Sequence, residues 1–398
     1  MNGDAGESNE EDDDDVVVGD NDEDYAFPYV TVFGDYSSRS VSHHDSSSKP
    51  GTAFDSHHLK TKTISCIRGI SLRCFNRVKV SSDLHDYDIV INPNPQLFGK
   101  FMVEHGSKRF DFKAEDYSLW KGSWGDGYRL GLFFLKGTDH IVFSFHTIQY
   151  KSLVFLPDFR HLGMAWIPEK YRGKEILKVV TDYLIQEENM KKQNMLACNV
   201  HWSQNFWHQA TGKSDISACT YYISYYEMSE FRIPELSKTE NDVVVKTVNK
   251  ETVNDVLKYD RAIFPFDRRN WMKSLFLEGI SRIAYDSNGK VIGVGCLSIY
   301  PSGECVISPL YADEERIAQM IFRSILEETL SKIQRDLWRI QVRSNDQCRG
   351  SFEWIEPFLK TSLRRSHLSN LCYSMYPPRH FFDFSKVFVN AHPTNGPC

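Results

Sequence analysis

The stretch WIPEKYRGKEIL, residues 166–177, gathers residue types that bind an anion. Arg172 and Lys174 flank Gly173 where an apolar strand-like pattern gives way to a helical one. Backbone N–H groups at a helix start have no intrahelical partner and carry the positive end of the dipole, so phosphate oxygens bind there. Two residues oppose this. Glu175 and Leu177 put bulk where a phosphate-wrapping turn ordinarily has glycine, and the Glu175 charge suits the dipole but repels phosphate. The two cations still outnumber it. Other chemistries lack their residues: there is no Walker loop, G-x-G-x-x-G, H-E-x-x-H or G-x-S-x-G. His43-His44 and His57-His58 lie in a polar Ser-rich stretch, and no metal is expected there. The nine cysteines show no C-x-x-C, which fits reduced thiols in a cytoplasmic or nuclear protein, with cytoplasm the expectation.

The elements that must position this turn can be read from periodicity. Strands are expected over 87–92, 161–167, 195–200 and 219–228, with a hairpin of 128–135 and 140–150 across Lys136-Gly137-Thr138-Asp139. Helices are expected over 95–103 and 203–210. A longer one over 173–191 carries Ile176, Leu177, Val180, Tyr183 and Leu184 on one face. After a polar linker at 236–242 a second unit repeats the order. It has a strand at 243–248, helices at 250–261 and 268–276, and strands at 281–285 and 291–298 joined by an Asn288-Gly289 turn. A strand at 304–311, a helix at 313–332, a strand at 338–342, a helix at 351–359 and a strand at 369–376 complete it. Each unit contains a Pro–aromatic turn after its fourth strand, at 168–171 and 309–311, so the chain reads as a long-period repeat.

This order resembles the GNAT superfamily of N-acetyltransferases, whose phosphate turn commonly reads V-x-P-x-x-R-G-x-G-x-G/A; Pro168-Glu169-Lys170-Tyr171-Arg172-Gly173-Lys174 is similar to it. The second unit resembles the C-terminal domain of tandem GNAT-like proteins through YDRAIFPFDRRNWMKSL (259–275), KVIGVGCLSIYPSG (290–303) and ISPLYADEERIAQMIF (307–322). Together the units resemble a tandem GNAT-like family expanded in nematodes. The fold class implied is α/β (α+β): two tandem GNAT-like acyltransferase domains, each a mixed, mostly antiparallel sheet flanked by helices. The domains are expected at 64–235 and 243–380, after a disordered tail at 1–62 and before a second tail at 381–398.

The resemblance implies an acetyl-CoA-dependent N-acyltransferase acting on a small-molecule or peptide amine. The alternative is a GNAT-fold binding or regulatory protein that has lost the CoA loop. It assigns Trp166 and Ile167 to the strand that pairs with the pantetheine arm, and Tyr171, Arg172, Gly173 and Lys174 to the diphosphate. A Tyr four residues before a Gly often protonates the departing thiolate; counted back from Gly212, that position holds His208. A fourth-strand carboxylate often relays the amine proton. HLGMAWI has none, which leaves Asp158 and His161 as base candidates. Trp166, Trp202 and Trp207 are candidate walls of an acceptor channel. The second unit's turn, taken as Pro309 to Glu315, has no glycine and three acids, so cofactor is expected in the first unit alone.

Charge sharpens the partner classes. Residues 1–24 hold 12 acids and no Lys or Arg, enough like charge to keep that segment disordered. Without them 41 acids face 47 bases, so the body of the chain is near +6 although the whole carries −6. Arg335, Arg339, Arg343, Arg349, Arg364 and Arg365 are numerous, yet no nucleic-acid motif accompanies them, so a nucleic-acid partner is not expected. No apolar run is long enough to span a bilayer, and no membrane association is expected.

Overall fold

The structure is a computed structural model that describes residues 87–106, 113–166, 194–199, 216–235, 242–300, 303–332, 338–345, 353–362, 366–374 and 383–391. In the first unit these residues form β1 (Tyr87–Ile91), α1 (Pro95–Phe101), α2 (Asp116–Trp124), β2 (Tyr128–Leu135), β3 (Ile141–Tyr150), β4 (Phe159–Trp166), β5 (Asn194–Asn199) and β6 (Ile216–Glu227). The second unit has β7 (Val243–Thr247), α3 (Val253–Ile263), α4 (Arg269–Glu278), β8 (Ile280–Asp286), β9 (Val291–Ile299), β10 (Glu304–Ala312), α5 (Glu315–Lys332), β11 (Arg339–Asn345), β12 (Ser366–Ser374) and β13 (Val387–Val389).

Local chemistry fixes the starts and turns. Asn94 caps α1 by accepting from the Leu97 amide at 2.8 Å, with Pro95 at the first helical position, where its missing N–H costs nothing. Gly289, at φ 78°, supplies the left-handed residue that the β8–β9 hairpin needs. In α5, Ile317, Ile321, Phe322, Ile325 and Leu326 recur at helical spacing and are fully buried against the sheet.

Four expectations need correction. The helix from 95 ends at 101 and continues as a π-helical stretch over Met102–Gly106. Glu353–Phe358 is a 3-10 helix, with Pro357 removing a donor an α-helix would use. Pro309 is not in a turn but inside β10, which runs to Ala312 before α5 begins at Glu315. The segment from 381 contains β13, whose Val387, Phe388 and Val389 are fully buried. The helix α2 was not anticipated. The expected helices at 173–191 and 203–210 lie outside the described residues.

The strands form one sheet in the order β1-β2-β3-β4-β5-β12-β6-β11-β10-β9-β8-β7, with β13 on β10. Each unit contributes the same antiparallel run followed by one parallel pair, β4 with β5 and β10 with β11. One late strand of each unit, β6 and β12, then leaves it. β12 pairs with β5 of the first unit, β6 pairs with β11 of the second, and β6 and β12 pair with each other. The sheet therefore crosses the boundary expected at 235–243.

The two units also share a core. Trp124 on α2 meets Trp271 on α4 with ring centroids 5.9 Å apart, and Tyr150 and Phe159 pack on Phe264 at 5.4 and 6.3 Å. Backbone bonds from Leu153 N to Pro265 O (3.0 Å) and from Asp267 N to Lys151 O (2.8 Å) join the same surfaces. A second core covers the other face of the second unit under α5.

Candidate functional site

The opening between the two parallel strands of each unit is the part of the fold that chemistry can use. In the first unit β4 pairs with β5 from Phe159↔Asn194 only as far as Leu162↔Ala197, while β4 itself continues to Trp166. The strand is bulged at that point. His146 faces Gly163 and Ser144 faces Trp166, so β4 spends one residue more than β3 over the same interval. Met164 absorbs the extra residue at φ 49°, and the Ser144 hydroxyl donates to the Met164 carbonyl at 2.9 Å. A bulge unpairs backbone groups from the ladder and re-aims them.

The second unit repeats the bulge and then closes the opening. Ile307 faces Leu297 and Leu310 faces Gly295, again with one extra residue on the fourth strand of the unit. The registers equate Met164 with Ser308 and Ala165 with Pro309. Ala165 has an amide hydrogen to offer at this position, and Pro309 has none. Past Val306↔Gln341 the strands β10 and β11 no longer pair. There β13 fills the gap: Val389 and Val387 pair with Leu310 and Tyr311, and the Asn390 amide donates to the Arg343 carbonyl of β11 at 3.0 Å. Phe388 packs on Trp354 at 6.4 Å.

His161 lies on β4 beside the first unit's opening and is fully buried. Its ring meets that of His146 at 6.1 Å, and His146 in turn meets Tyr128 at 5.6 Å and Trp120 at 6.0 Å. Gly163 makes this packing feasible, because a Cβ there would lie 2.6 Å from His146 Nε2 and 3.1 Å from His161 Cε1. Burial holds the Tyr128 phenol well above its ordinary value, so it stays protonated.

Asp158 is not joined to this group. Its carboxylate accepts from Lys151 Nζ at 2.7 Å, Gln149 Nε2 at 3.0 Å and the Ser152 amide at 3.1 Å. Burial raises its pKa, and these donors outweigh burial and hold it below the usual carboxylate range. That arrangement suits anchoring the β3–β4 connection better than accepting a proton near neutrality. Of the remaining site residues, Trp166 is at the end of β4, while Ile167, Tyr171, Arg172, Gly173, Lys174 and His208 lie outside the described residues, as do Trp202 and Trp207.

The other chemistries fare as follows among the described residues. No group of His, Cys, Asp and Glu could hold a metal ion. Burial pushes the thiols of Cys296 and Cys305 up to about 12, which leaves neither as a nucleophile at neutral pH. Arg343 is buried, and Arg339 is ion-paired with Glu304 and lies over the Tyr225 ring at 5.2 Å, so neither belongs to a free basic face. No helix is long and apolar enough to cross a membrane.

Comparison with known proteins follows the same architecture. Residues 256–347 match the family model described as Acetyltransferase (GNAT) domain, and residues 84–263 match one described as Protein of unknown function (DUF1248). None of the curated proteins matches at a significant level. Among solved structures, a putative acetyltransferase from Pyrococcus horikoshii superposes with a TM-score of 0.52 at 16% identity, covering 77% of this chain and 96% of its own. A tandem GNAT protein from the clavulanic acid biosynthesis pathway gives 0.51 at 10% identity, covering 72% and 97%. The chain has the GNAT fold in tandem: a mixed α/β architecture with two GNAT-like units.

Proposed function

We propose that the chain is an acyl-CoA-dependent N-acyltransferase in which the first unit alone holds the acyl donor, acetyl-CoA. The observation that carries this reading is the contrast between the two openings. The first has a bulge with an amide at Ala165 and, among the described residues, no strand paired to β4 on its β5 side beyond Leu162. The second has Pro309 at that position and β13 across the gap.

In this reading the pantetheine amides extend the sheet along β4 at Trp166 and Ile167. Tyr171, Arg172, Gly173 and Lys174 grip the diphosphate through backbone donors and two positive charges. The donor supplies a thioester carbonyl. An amine nitrogen attacks that carbon directly, and the amide at the bulge stabilises the oxyanion. As the N–C bond forms the carbonyl pair moves to oxygen, and its return breaks the C–S bond and expels the thiolate. His161 accepts the proton the amine must lose, and His208 protonates the departing thiolate. The acceptor is a small-molecule or peptide amine.

Isothermal titration of the full chain with acetyl-CoA tests it. One site per chain is expected, and Arg172→Glu weakens binding at least about tenfold by opposing the diphosphate charge. Absence of heat at high protein concentration removes the proposal. A second reading, a GNAT-fold binding or regulatory protein, is favoured by Glu175 and Leu177 in the phosphate turn. It predicts thermal stabilisation by acetyl-CoA with no acetyl transfer to any amine in a broad panel.

A further inference from the structure

A pocket of about 110 Å³ opens where α2 of the first unit meets α4, β9 and β10 of the second. Its walls are aromatic, from Trp120 on α2 and Trp271 on α4. Its polar groups come from both units and include Asp116 at the start of α2, Glu278 at the end of α4, Ser298 on β9, Tyr300 just after it, and Ser308 at the bulge of β10. The Ser308 hydroxyl is the unusual member. Ser308 is 3% exposed, and its Oγ has no hydrogen-bond partner among the described residues. A buried hydroxyl without a partner loses the hydrogen bonds water would give it, at a cost a ligand can relieve. Lys113 is the one cation of the lining, with its Nζ 5.7 Å from the centre of the Tyr300 ring.

We propose that this pocket binds a primary alkylammonium group, held between the Asp116 and Glu278 carboxylates, accepted by Ser308 Oγ and walled by Trp120 and Trp271. The residue types and their placement argue for that chemistry. Two carboxylates against one ammonium leave the lining net negative, and an ammonium has three donors to share among three acceptors. Indole faces attract a cation and cover its alkyl stem. A volume near 110 Å³ has room for the tail of a short amine and not for a nucleotide. Trp120 is also the link to the reaction strand: its ring meets His146 at 6.0 Å, and His146 meets His161 of β4 at 6.1 Å. His161 lies beyond His146, two ring contacts from the pocket wall, so the ammonium held here is not the attacking nitrogen and the site stands without the acyl-transfer reading.

The charge of Asp116 tunes the site. Burial raises its pKa to about 6, against the Lys113 amide and the Lys113 charge, which lower it. The charges that face it are Lys113, Glu115 and Glu278, and its own charge acts on the Tyr128 phenol. Binding therefore weakens as pH falls through about 6 and Asp116 takes a proton.

The test uses the full chain labelled with fluorotryptophan, read by ¹⁹F resonances at Trp120 and Trp271, and titrated with n-butylammonium chloride without acetyl-CoA. A saturable shift is expected, absent with n-butanol. Asp116→Asn and Glu278→Gln are each expected to weaken it roughly five- to tenfold. Asp116→Asn keeps a side-chain oxygen for the Lys113 amide, which donates to Asp116 Oδ2 at 2.7 Å, so the start of α2 is preserved. No saturable shift, or an equal shift with butanol, overturns the site. Unchanged affinity in both variants overturns the carboxylate pair. Calorimetry with acetyl-CoA on the same sample separates the two ideas. Butylammonium binding without acetyl-CoA binding leaves the pocket and removes acyl transfer; the reverse removes the pocket and leaves acyl transfer.

Discussion

Arg268 is the buried charge around which the second unit's first helices are arranged. It is 2% exposed, and its guanidinium donates to both Asp260 oxygens, at 3.1 and 2.5 Å, and to the Tyr311 hydroxyl at 3.2 Å. It also stacks over the Phe264 ring at 4.1 Å. Removing one member strands the other in a low-dielectric core, so Asp260→Ala is expected to cost about 3–5 kcal/mol in urea denaturation. Asp116 gives the opposite sign. Its folded-state pKa is raised, so the folded chain holds that proton more tightly than the unfolded one. The stability this brings is fully present below about pH 4 and is lost as pH rises to about 6. Asp116→Asn should raise the melting temperature at pH 7.5, and the gain should shrink toward pH 4.5. At this scale the sequence offered His161 as a base candidate with Asp158, and the structure has it buried on β4. Asp116 and Ser308 carried no such mark. Their importance arises from burial between units far apart in the chain, which no local pattern encodes.

Among the elements, β13 has the largest effect for its size. Phe388 is fully buried against Trp354, so Phe388→Ala is expected to cost about 3–5 kcal/mol, measured by denaturant unfolding. Because β13 fills the opening beside β10, the calorimetric stoichiometry for acetyl-CoA should be one per chain rather than two. Long periodic elements were legible: the β2–β3 hairpin, β8 to β10 and α5 all appear close to their expected limits. Two that were not legible lack periodicity for a physical reason. The sequence of α2, DYSLWKGSW, contains a glycine and no apolar stripe, and it is held by Tyr117 and Trp120 packing on the sheet. The three residues of β13 are too few to show alternation and are specified by the edge they cover. Pro309 misled because proline usually signals a turn, whereas here it occupies a bulge, one of the few places a strand tolerates it.

At the scale of the whole molecule, the sequence displays the repeat but not the exchange of β6 and β12. Periodicity reports which segments are strands and says nothing of which neighbour each strand takes. The exchange makes a direct prediction. Chains 1–241 and 242–398 expressed separately each lack a strand that their own sheet requires, and each exposes an unpaired edge. Each should be insoluble alone and soluble when both are co-expressed, checked by size exclusion. The same arrangement has a genetic corollary. A stop codon anywhere before residue 366 deletes the strand lying against β5. A lesion mapping to the second half of the gene would thus present as a failure of the first half's sheet, and complementation would have to supply both halves on time, in one cell.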